Sequence, residues 1–130
     1  MTHELTDRNG DPVTVGIEPG RPISAYVVRI ADGSAVGRVD FIDPPAADHE
    51  RIVFHTEVDA EFGGRGLAGV LVSAALDDSI RNGLTVVPVC PLFARHLTRH
   101  GDEFVARGGV FRKPTSADIT VVTRAVRGGA

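Results

Sequence analysis

β-branched and other apolar residues recur over three stretches in the first half of the chain, which predicts β-strands there. The stretches run from Ile23 to Ile30, from Ala35 to Ile42 and from Arg51 to Val58. Asp32-Gly33 between the first two is typical of a tight hairpin turn. A further, weaker strand is indicated around residues 13–15. The pattern predicts an antiparallel meander.

The third stretch alternates in a way that assigns its side chains to two faces. One face is predicted to carry Ile52, Phe54, Thr56 and Val58, and the other Val53, His55 and Glu57. His55 and Glu57 are therefore expected side by side. A carboxylate next to an imidazole can accept and relay a proton near neutral pH, so the pair is a candidate catalytic site. The alternative is a polar pair on a half-exposed strand.

The second half of the chain changes to helical spacing. A glycine-rich loop at Glu61–Gly66 precedes apolar residues spaced as on one helix face, and Asn82-Gly83 is typical of a helix end. Leu84–Val89 reads as an apolar strand, and Cys90-Pro91 opens a second helix, predicted to end near Arg99 or His100. Ile119 to Val126 is strand-like and is expected to pair with a sheet edge or with another subunit. The helical positions after the loop are Leu67, Val70, Leu71, Ala74, Ala75 and Ile80.

This order of elements predicts an α+β fold with a mixed, mainly antiparallel sheet and helices packed on it. With 130 residues, 42% apolar and 24% charged, the chain has the composition of one ordinary globular domain. We expect that domain at residues 1–104. No apolar run is long enough to span a bilayer, and the first residues lack a signal-peptide pattern, so a cytoplasmic protein is expected. The single cysteine excludes an internal disulfide framework.

Residues 105–130 form a basic C-terminal extension, predicted to be an added edge strand or a mobile tail. They carry five basic residues and one acid, whereas residues 1–104 carry nine basic residues and sixteen acids. The extension is therefore also a candidate arm for an acidic partner or nucleic acid. For the chain as a whole, the net charge of −3 is too small for a general nucleic-acid footprint, so nucleic acid is the less expected partner.

The glycine-rich loop is a candidate anion site, because a strand feeding such a turn and a helix brings backbone N–H groups to the positive end of the helix dipole. Gly64-Arg65-Gly66-Leu67-Ala68-Gly69 spells the dinucleotide pattern G-x-G-x-x-G. However, it follows a meander, and residues 87–89 lack the acid expected to bind a ribose. A Walker loop is excluded because no Lys-Ser/Thr follows.

The same region resembles the pyrophosphate loop of the GNAT superfamily of N-acetyltransferases, written Q/R-x-x-G-x-G/A. The matching segment is Gly63-Gly64-Arg65-Gly66-Leu67-Ala68. With His55–Asp59 before the loop, Gly83–Pro91 after the first helix, and Arg99-His100 in the second, the chain looks like the minimal, single-domain (YjdJ-type) group of that superfamily. The resemblance covers residues from about 10 to 104.

The resemblance implies acetyl-CoA as the donor substrate and an amine as the acceptor. No metal is expected, because the five histidines and the single cysteine share no metal-ligand spacing such as H-E-x-x-H. Backbone groups of the strand before the loop would hold the pantetheine arm, and the loop the pyrophosphate. One departure is that the first loop position is Gly63 instead of Gln or Arg, so a side-chain contact is missing; Arg65 is a candidate replacement. The implied donor-binding residues are Val58, Gly63, Gly64, Arg65, Gly66, Leu67, Ala68 and Gly69.

Cys90 is a further catalytic candidate, because the N-terminus of a helix favours a thiolate. In the family many members use a tyrosine of the second helix as the acid, but here that helix carries Phe93 and His96. Cys90 would then protonate the leaving thiolate or accept the acyl group transiently. The plain alternative is a small buried hydrophobe.

Two functions remain open from the sequence. One is an acetyl-CoA-dependent N-acetyltransferase acting on a small-molecule or protein amine, as a monomer or homodimer. The other is an acyl-CoA-binding sensor or scaffold of the same fold without turnover. The missing Gln/Arg side chain and the missing helical tyrosine leave room for this second reading.

Overall fold

The protein is built on one seven-stranded sheet whose strands lie in chain order. The computed structural model describes residues 3–128, with side chains from Leu5 onward. The first five strands pair antiparallel, and the last two join in parallel. The mixed, mainly antiparallel α+β sheet is thus confirmed. The strands are β1 His3–Thr6, β2 Pro12–Glu18, β3 Ser24–Arg29, β4 Ala35–Ile42, β5 Glu50–Val58, β6 Thr85–Pro88 and β7 Val110–Phe111.

Two of the helices pack directly on this sheet. Helix α1 (Leu67–Arg81) contacts β3, β4, β5 and β6, and helix α2 (Pro91–Ala106) contacts β5 and β6. Helix α1 has Gly66 as its N-cap and Asn82 as its C-cap. Gly83 then adopts a positive φ of 63°, and the chain turns toward β6. None of the described helices is long and apolar enough to cross a membrane.

The core lies where α1 and α2 meet the central strands. Val28, Val39 and Phe41 of β3 and β4 are almost completely buried there, together with Leu71 of α1 and Phe93 of α2. Burying such side chains supplies most of the stabilisation of a domain of this size. The core therefore fixes both helices, and with them the loop that precedes α1.

Helix α2 is longer than the sequence analysis predicted. Its apolar face continues past His100 through Phe104, so the helix runs to Ala106. The predicted boundary between residues 104 and 105 consequently falls inside this helix. Gly101 lies on the same face. A Cβ at this position would come within 2.8 Å of the ring of Phe111 in β7, so a residue without a side chain is needed there.

The prediction of a strand at Ile119–Val126 was wrong: the segment is part of helix α3 (Ser116–Val126). A capping box explains the difference, because the Thr115 N–H donates to the Asp118 carboxylate at 2.7 Å at the start of the helix. This local bond outweighs the β-propensity of the following Ile, Val and Thr residues. The edge strand of the extension is instead β7, paired in parallel with β6. Residues 129–130 lie outside the described residues.

Arg112 ties α3 to the sheet. Its guanidinium donates to Glu50 at the start of β5, at 2.8 Å, and to Asp118 of α3, at 2.8 and 2.9 Å. Arg107 pairs in turn with Asp77 of α1. Two of the five basic residues of the extension are thus engaged by carboxylates of the protein itself.

Candidate active site

The sheet opens between β5 and β6. The two strands pair from Glu50 to Val53, and then β6 ends at Pro88. The Val53 carbonyl accepts the N–H groups of Val89 and Cys90, at 3.0 and 2.9 Å, which turns the chain away into α2. Within the described residues, β5 continues to Val58 with no strand beside it on that side. A stretch of free backbone therefore lies in the middle of the sheet.

A β-bulge sits where this opening begins. Asp40 of β4 pairs with His55 and Phe41 pairs with Val53, so Phe54 is an extra residue in β5. An extra residue reverses the facing of every side chain beyond it. Thr56 and Val58 consequently share the core-facing side with Val53, and not with Ile52 as the uninterrupted alternation predicted.

His55 and Glu57 lie side by side as predicted, on the side of β5 away from the core cluster. The His55 Nε2 and Glu57 Oε2 atoms are 3.7 Å apart, and the side chains are 54% and 63% exposed. Across the strand, Arg38 and Asp40 of β4 are the register partners of this pair and bond to each other at 2.6 Å. The arrangement places an imidazole and a carboxylate next to each other on a solvent-exposed side of the sheet.

Cys90 lies on the other side of β5. Its Sγ atom is 3.4 Å from the Thr56 Oγ1 atom, and the residue is only 4% exposed. It is the N-cap of α2, as predicted. Since Thr56 stands between His55 and Glu57 in an extended strand, Cys90 faces away from that pair. The structure thus brings together two of the three predicted catalytic residues and separates the third.

The glycine-rich loop forms the turn between β5 and α1. After a short 3₁₀ turn at Ala60–Phe62, Gly64 and Gly66 adopt positive φ angles of 81° and 74°, which favour glycine. Gly66 is the N-cap of α1, and the first turn of that helix carries no acidic residue. The positive end of the helix dipole is therefore left without a negative side chain.

The N–H groups of residues 64–69 have no hydrogen-bond acceptor among the described residues. A run of six free donors at the start of a helix is suited to binding an anion. A pocket of about 330 Å³ adjoins the loop. Of the predicted donor-binding residues, it is lined by Val58, Gly63, Gly64, Gly66, Leu67 and Ala68. Gly69, in the first turn of α1, is exposed and does not line the pocket.

Arg65 is held from two sides and does not line this pocket. Its guanidinium lies over the Phe62 ring, 4.9 Å from the centroid, and its Nη1 atom is 3.9 Å from a carboxylate oxygen of Asp7. The Asp7 side chain is fully buried, and that oxygen, Oδ2, accepts no hydrogen bond from the described residues. Arg65 therefore compensates a buried charge in the present geometry.

Arg8 is a site residue that the sequence analysis missed. It belongs to the turn between β1 and β2, and its side chain lines the pocket beside the loop. Its N–H donates to the Arg65 carbonyl at 2.7 Å. Nothing in the residues around position 8 signals this role, because the contact joins segments nearly sixty positions apart. Only the sheet order brings them together.

A comparison with protein families gives one match. The family described as GCN5-related N-acetyl-transferase matches residues 25–106, which is more than half of the chain. A search of curated proteins finds no match.

Several solved structures are similar in fold. A cAMP-binding acyltransferase from Mycobacterium smegmatis (E234A mutant) is 13% identical, with a TM-score of 0.50, over 64% of this chain and 36% of that one. A ribosomal-protein-alanine N-acetyltransferase from Brucella melitensis is 22% identical, with a TM-score of 0.43, over 72% and 52%. A GCN5-like protein from Staphylococcus aureus is 21% identical, with a TM-score of 0.49, over 77% and 90%. The chain thus spans about a third of the length of the first and half of the second.

Proposed function

Because the chain belongs to the GCN5-related N-acetyltransferase family, we propose that it transfers an acetyl group from acetyl-CoA to an amine. The observation that carries this proposal is the run of six free N–H groups at residues 64–69, which opens α1 next to the free edge of β5. A pyrophosphate needs several converging donors, and a pantetheine arm with its two amides needs an unpaired strand. In this chain the unpaired part of β5 is followed directly by the loop that carries the free N–H groups.

The donor would bind along this edge. The loop amides and the α1 dipole would hold the pyrophosphate, and positive φ angles at Gly64 and Gly66 let the backbone approach it closely. A Cβ at Gly64 would meet nothing within 4 Å, so the space above the loop is open. Backbone groups between Phe54 and Val58 would bond the pantetheine arm. When bound, acetyl-CoA supplies an activated thioester.

The acceptor would approach the side of β5 that carries His55 and Glu57. The pocket on this part of the sheet is lined by Glu18, Glu57 and Asp59, with one arginine, Arg38; Arg29 pairs with Glu18 at 2.6 Å. A groove with this excess of negative charge attracts a protonated amine. His55, or Glu57 next to it, would then take the proton that the amine must lose before it attacks the thioester carbonyl.

Cys90 would act on the leaving sulfur. It is the N-cap of α2, at the point where β6 turns away from β5. Its thiol would return a proton to the CoA sulfur as the carbon–sulfur bond breaks. Transient acylation of Cys90 is the alternative; at 4% exposure, either role requires the thioester to lie directly against the thiol. A single buried free thiol also fits a reducing compartment such as the cytoplasm.

The proposal is tested by calorimetry with acetyl-CoA and by release of free CoA in the presence of a panel of amines. The blocked variant is Ala68→Asp, which places a carboxylate in the first turn of α1, where it stabilises the helix but repels the pyrophosphate. Ala68→Asn is its neutral control. We expect wild-type and Ala68→Asn to bind and Ala68→Asp to lose at least tenfold in affinity. No binding at millimolar acetyl-CoA by the wild-type protein contradicts the proposal.

A sensor or scaffold without turnover is the second candidate. Cys90 lies on the opposite side of the sheet from His55 and Glu57, which favours this candidate, because the three predicted catalytic residues do not converge at one point. Tight acetyl-CoA binding without CoA release against primary, secondary and protein amines supports this candidate. Turnover that falls in Glu57→Gln excludes it.

A further inference from the structure

The donor pocket contains a cation that reaches it from outside the loop. A Cβ built on Gly66 would lie 3.4 Å from the Arg8 Cβ, 3.5 Å from its Nε and 3.7 Å from its Nη2 atom. The Arg8 side chain therefore extends across the N-cap of α1, directly beside the six free N–H groups. It lines the same pocket as Gly63, Gly64 and Ala68.

The Arg8 guanidinium has no partner within the described residues. Neither a carboxylate nor a carbonyl accepts a hydrogen bond from it, and the residue is exposed. Arg65, in contrast, is drawn to Asp7 and stacked on Phe62. The loop arginine is thus engaged in the protein, and the free positive charge at this pocket belongs to Arg8.

The turn that carries Arg8 is held in place by two sets of bonds. The Arg8 N–H donates to the Arg65 carbonyl at 2.7 Å, which fastens the turn to the loop. One carboxylate oxygen of Asp7 accepts the N–H groups of Asn9 and Asp11, at 2.9 and 3.0 Å, which shapes the turn. The backbone of Arg8 is therefore held on both sides, which places its side chain beside the loop.

We propose that Arg8 binds the pyrophosphate of the acyl-CoA donor, and so supplies from the β1–β2 turn the side-chain contact that Gly63 lacks. A guanidinium binds phosphate oxygens in a forked, charge-assisted geometry, and the loop amides complete the shell. This inference rests on the proposed function, since it presumes a CoA ligand at the loop. It assigns a specific donor-binding role to the first turn of the chain.

The test is calorimetric titration of the full chain with CoA and, separately, with 3′-dephospho-CoA. The variants are Arg8→Ala and Arg8→Lys, and the matched control is Arg124→Ala, which removes an exposed arginine of α3 that lines none of the donor pocket. We expect Arg8→Ala to weaken both ligands by roughly tenfold to a hundredfold. Arg8→Lys should recover part of the loss, and Arg124→Ala should bind like wild type.

The outcomes separate the two proposals. If wild type does not bind CoA, the proposed function and this inference both fall. If wild type binds and Arg8→Ala binds equally well, only the role of Arg8 is overturned. If the loss in Arg8→Ala disappears with 3′-dephospho-CoA, Arg8 binds the 3′-phosphate and the pyrophosphate assignment is wrong. Unchanged thermal unfolding of Arg8→Ala shows that the protein still folds.

Discussion

The Thr56 hydroxyl and the Cys90 thiol lie 3.4 Å apart across the opening between β5 and the start of α2. The contact shows that the Thr56 side chain lies on the same side of β5 as Cys90. Because successive residues of a strand face opposite sides, His55 and Glu57 point away from Cys90. In the proposed mechanism, the proton of the acceptor amine and the leaving sulfur would therefore be handled on different sides of one strand.

Cys90 is predicted to react slowly with alkylating reagents in the folded protein. It is 4% exposed and belongs to the core cluster, so iodoacetamide needs a local opening to reach it. We expect alkylation to be at least roughly tenfold slower than in denaturant, measured by mass spectrometry. An acetylated Cys90 after incubation with acetyl-CoA alone would instead establish the transient acyl route.

His55→Gln and Glu57→Gln are predicted to lower turnover without unfolding the protein. A positioned general base contributes about 10²-fold to 10⁴-fold, so we expect kcat to fall by at least roughly 10²-fold in the variant that removes the base. Both side chains are more than half exposed, so the free energy of unfolding should change by less than about 0.5 kcal/mol. Asp48→Asn, which changes an exposed carboxylate elsewhere, is the control. Full activity in both glutamine variants would remove the pair from the mechanism.

Tyr26→Phe is predicted to destabilise the protein and leave acyl-CoA binding intact. The buried Tyr26 hydroxyl donates to Asp78 of α1 at 2.8 Å and accepts from Arg51 at 2.7 Å; burial raises the pKa of this phenol well above its ordinary range. Removing the hydroxyl takes one hydrogen bond each from Asp78 and Arg51, which still bond to each other at 3.2 Å, so the cost is about 0.5–1.5 kcal/mol. Denaturant unfolding measures this loss. An unchanged midpoint would show that solvent replaces the hydroxyl.

Asp118→Asn is predicted to weaken the attachment of α3 in a pH-dependent way. Hydrogen bonds from Arg112 hold the pKa of Asp118 at about 2, below its ordinary value of 3.8. A lowered folded-state pKa stabilises the protein above pH 3.8, and that stabilisation is lost as the pH falls through about 2. Wild type should therefore unfold at a higher temperature than Asp118→Asn at pH 7, and the difference should shrink toward pH 2. A difference that is independent of pH contradicts this role.

The sequence predicted the elements around the site well, because their signals are local. The glycines of the loop, the helical spacing from Leu67 and the Cys90-Pro91 start of α2 all act within a few residues of one another. The facing of β5 could not be predicted in the same way. Whether Phe54 is paired or bulged depends on its alignment with Asp40 and Phe41 of β4, and that alignment is a property of two strands together.

The structure of the C-terminal extension also depends on contacts between segments, which a local sequence pattern does not show. Ile, Val and Thr residues favour a strand at 119–126, but the segment needs a neighbouring strand to form one, and β7 already covers the exposed edge of β6. The capping box formed by Thr115 and Asp118 then stabilises a helix in this segment. The Thr-x-x-Asp pattern before an apolar run is the feature of the sequence that indicates a helix start here. Arg8 had no comparable signal, since its role depends on where the sheet places the β1–β2 turn.

The unpaired length of β5 has a consequence for how the protein behaves among other chains. A strand at the margin of a sheet offers its backbone to any extended peptide, and such edges promote aggregation. Here the free backbone begins inside the sheet, beyond the point where β5 and β6 are joined, and the Thr56–Cys90 contact crosses the gap. An approaching strand would have to enter between two elements already bonded together. In the proposed binding mode, this edge would take a slender ligand such as a pantetheine arm, whereas a whole strand would have to displace the Thr56–Cys90 contact.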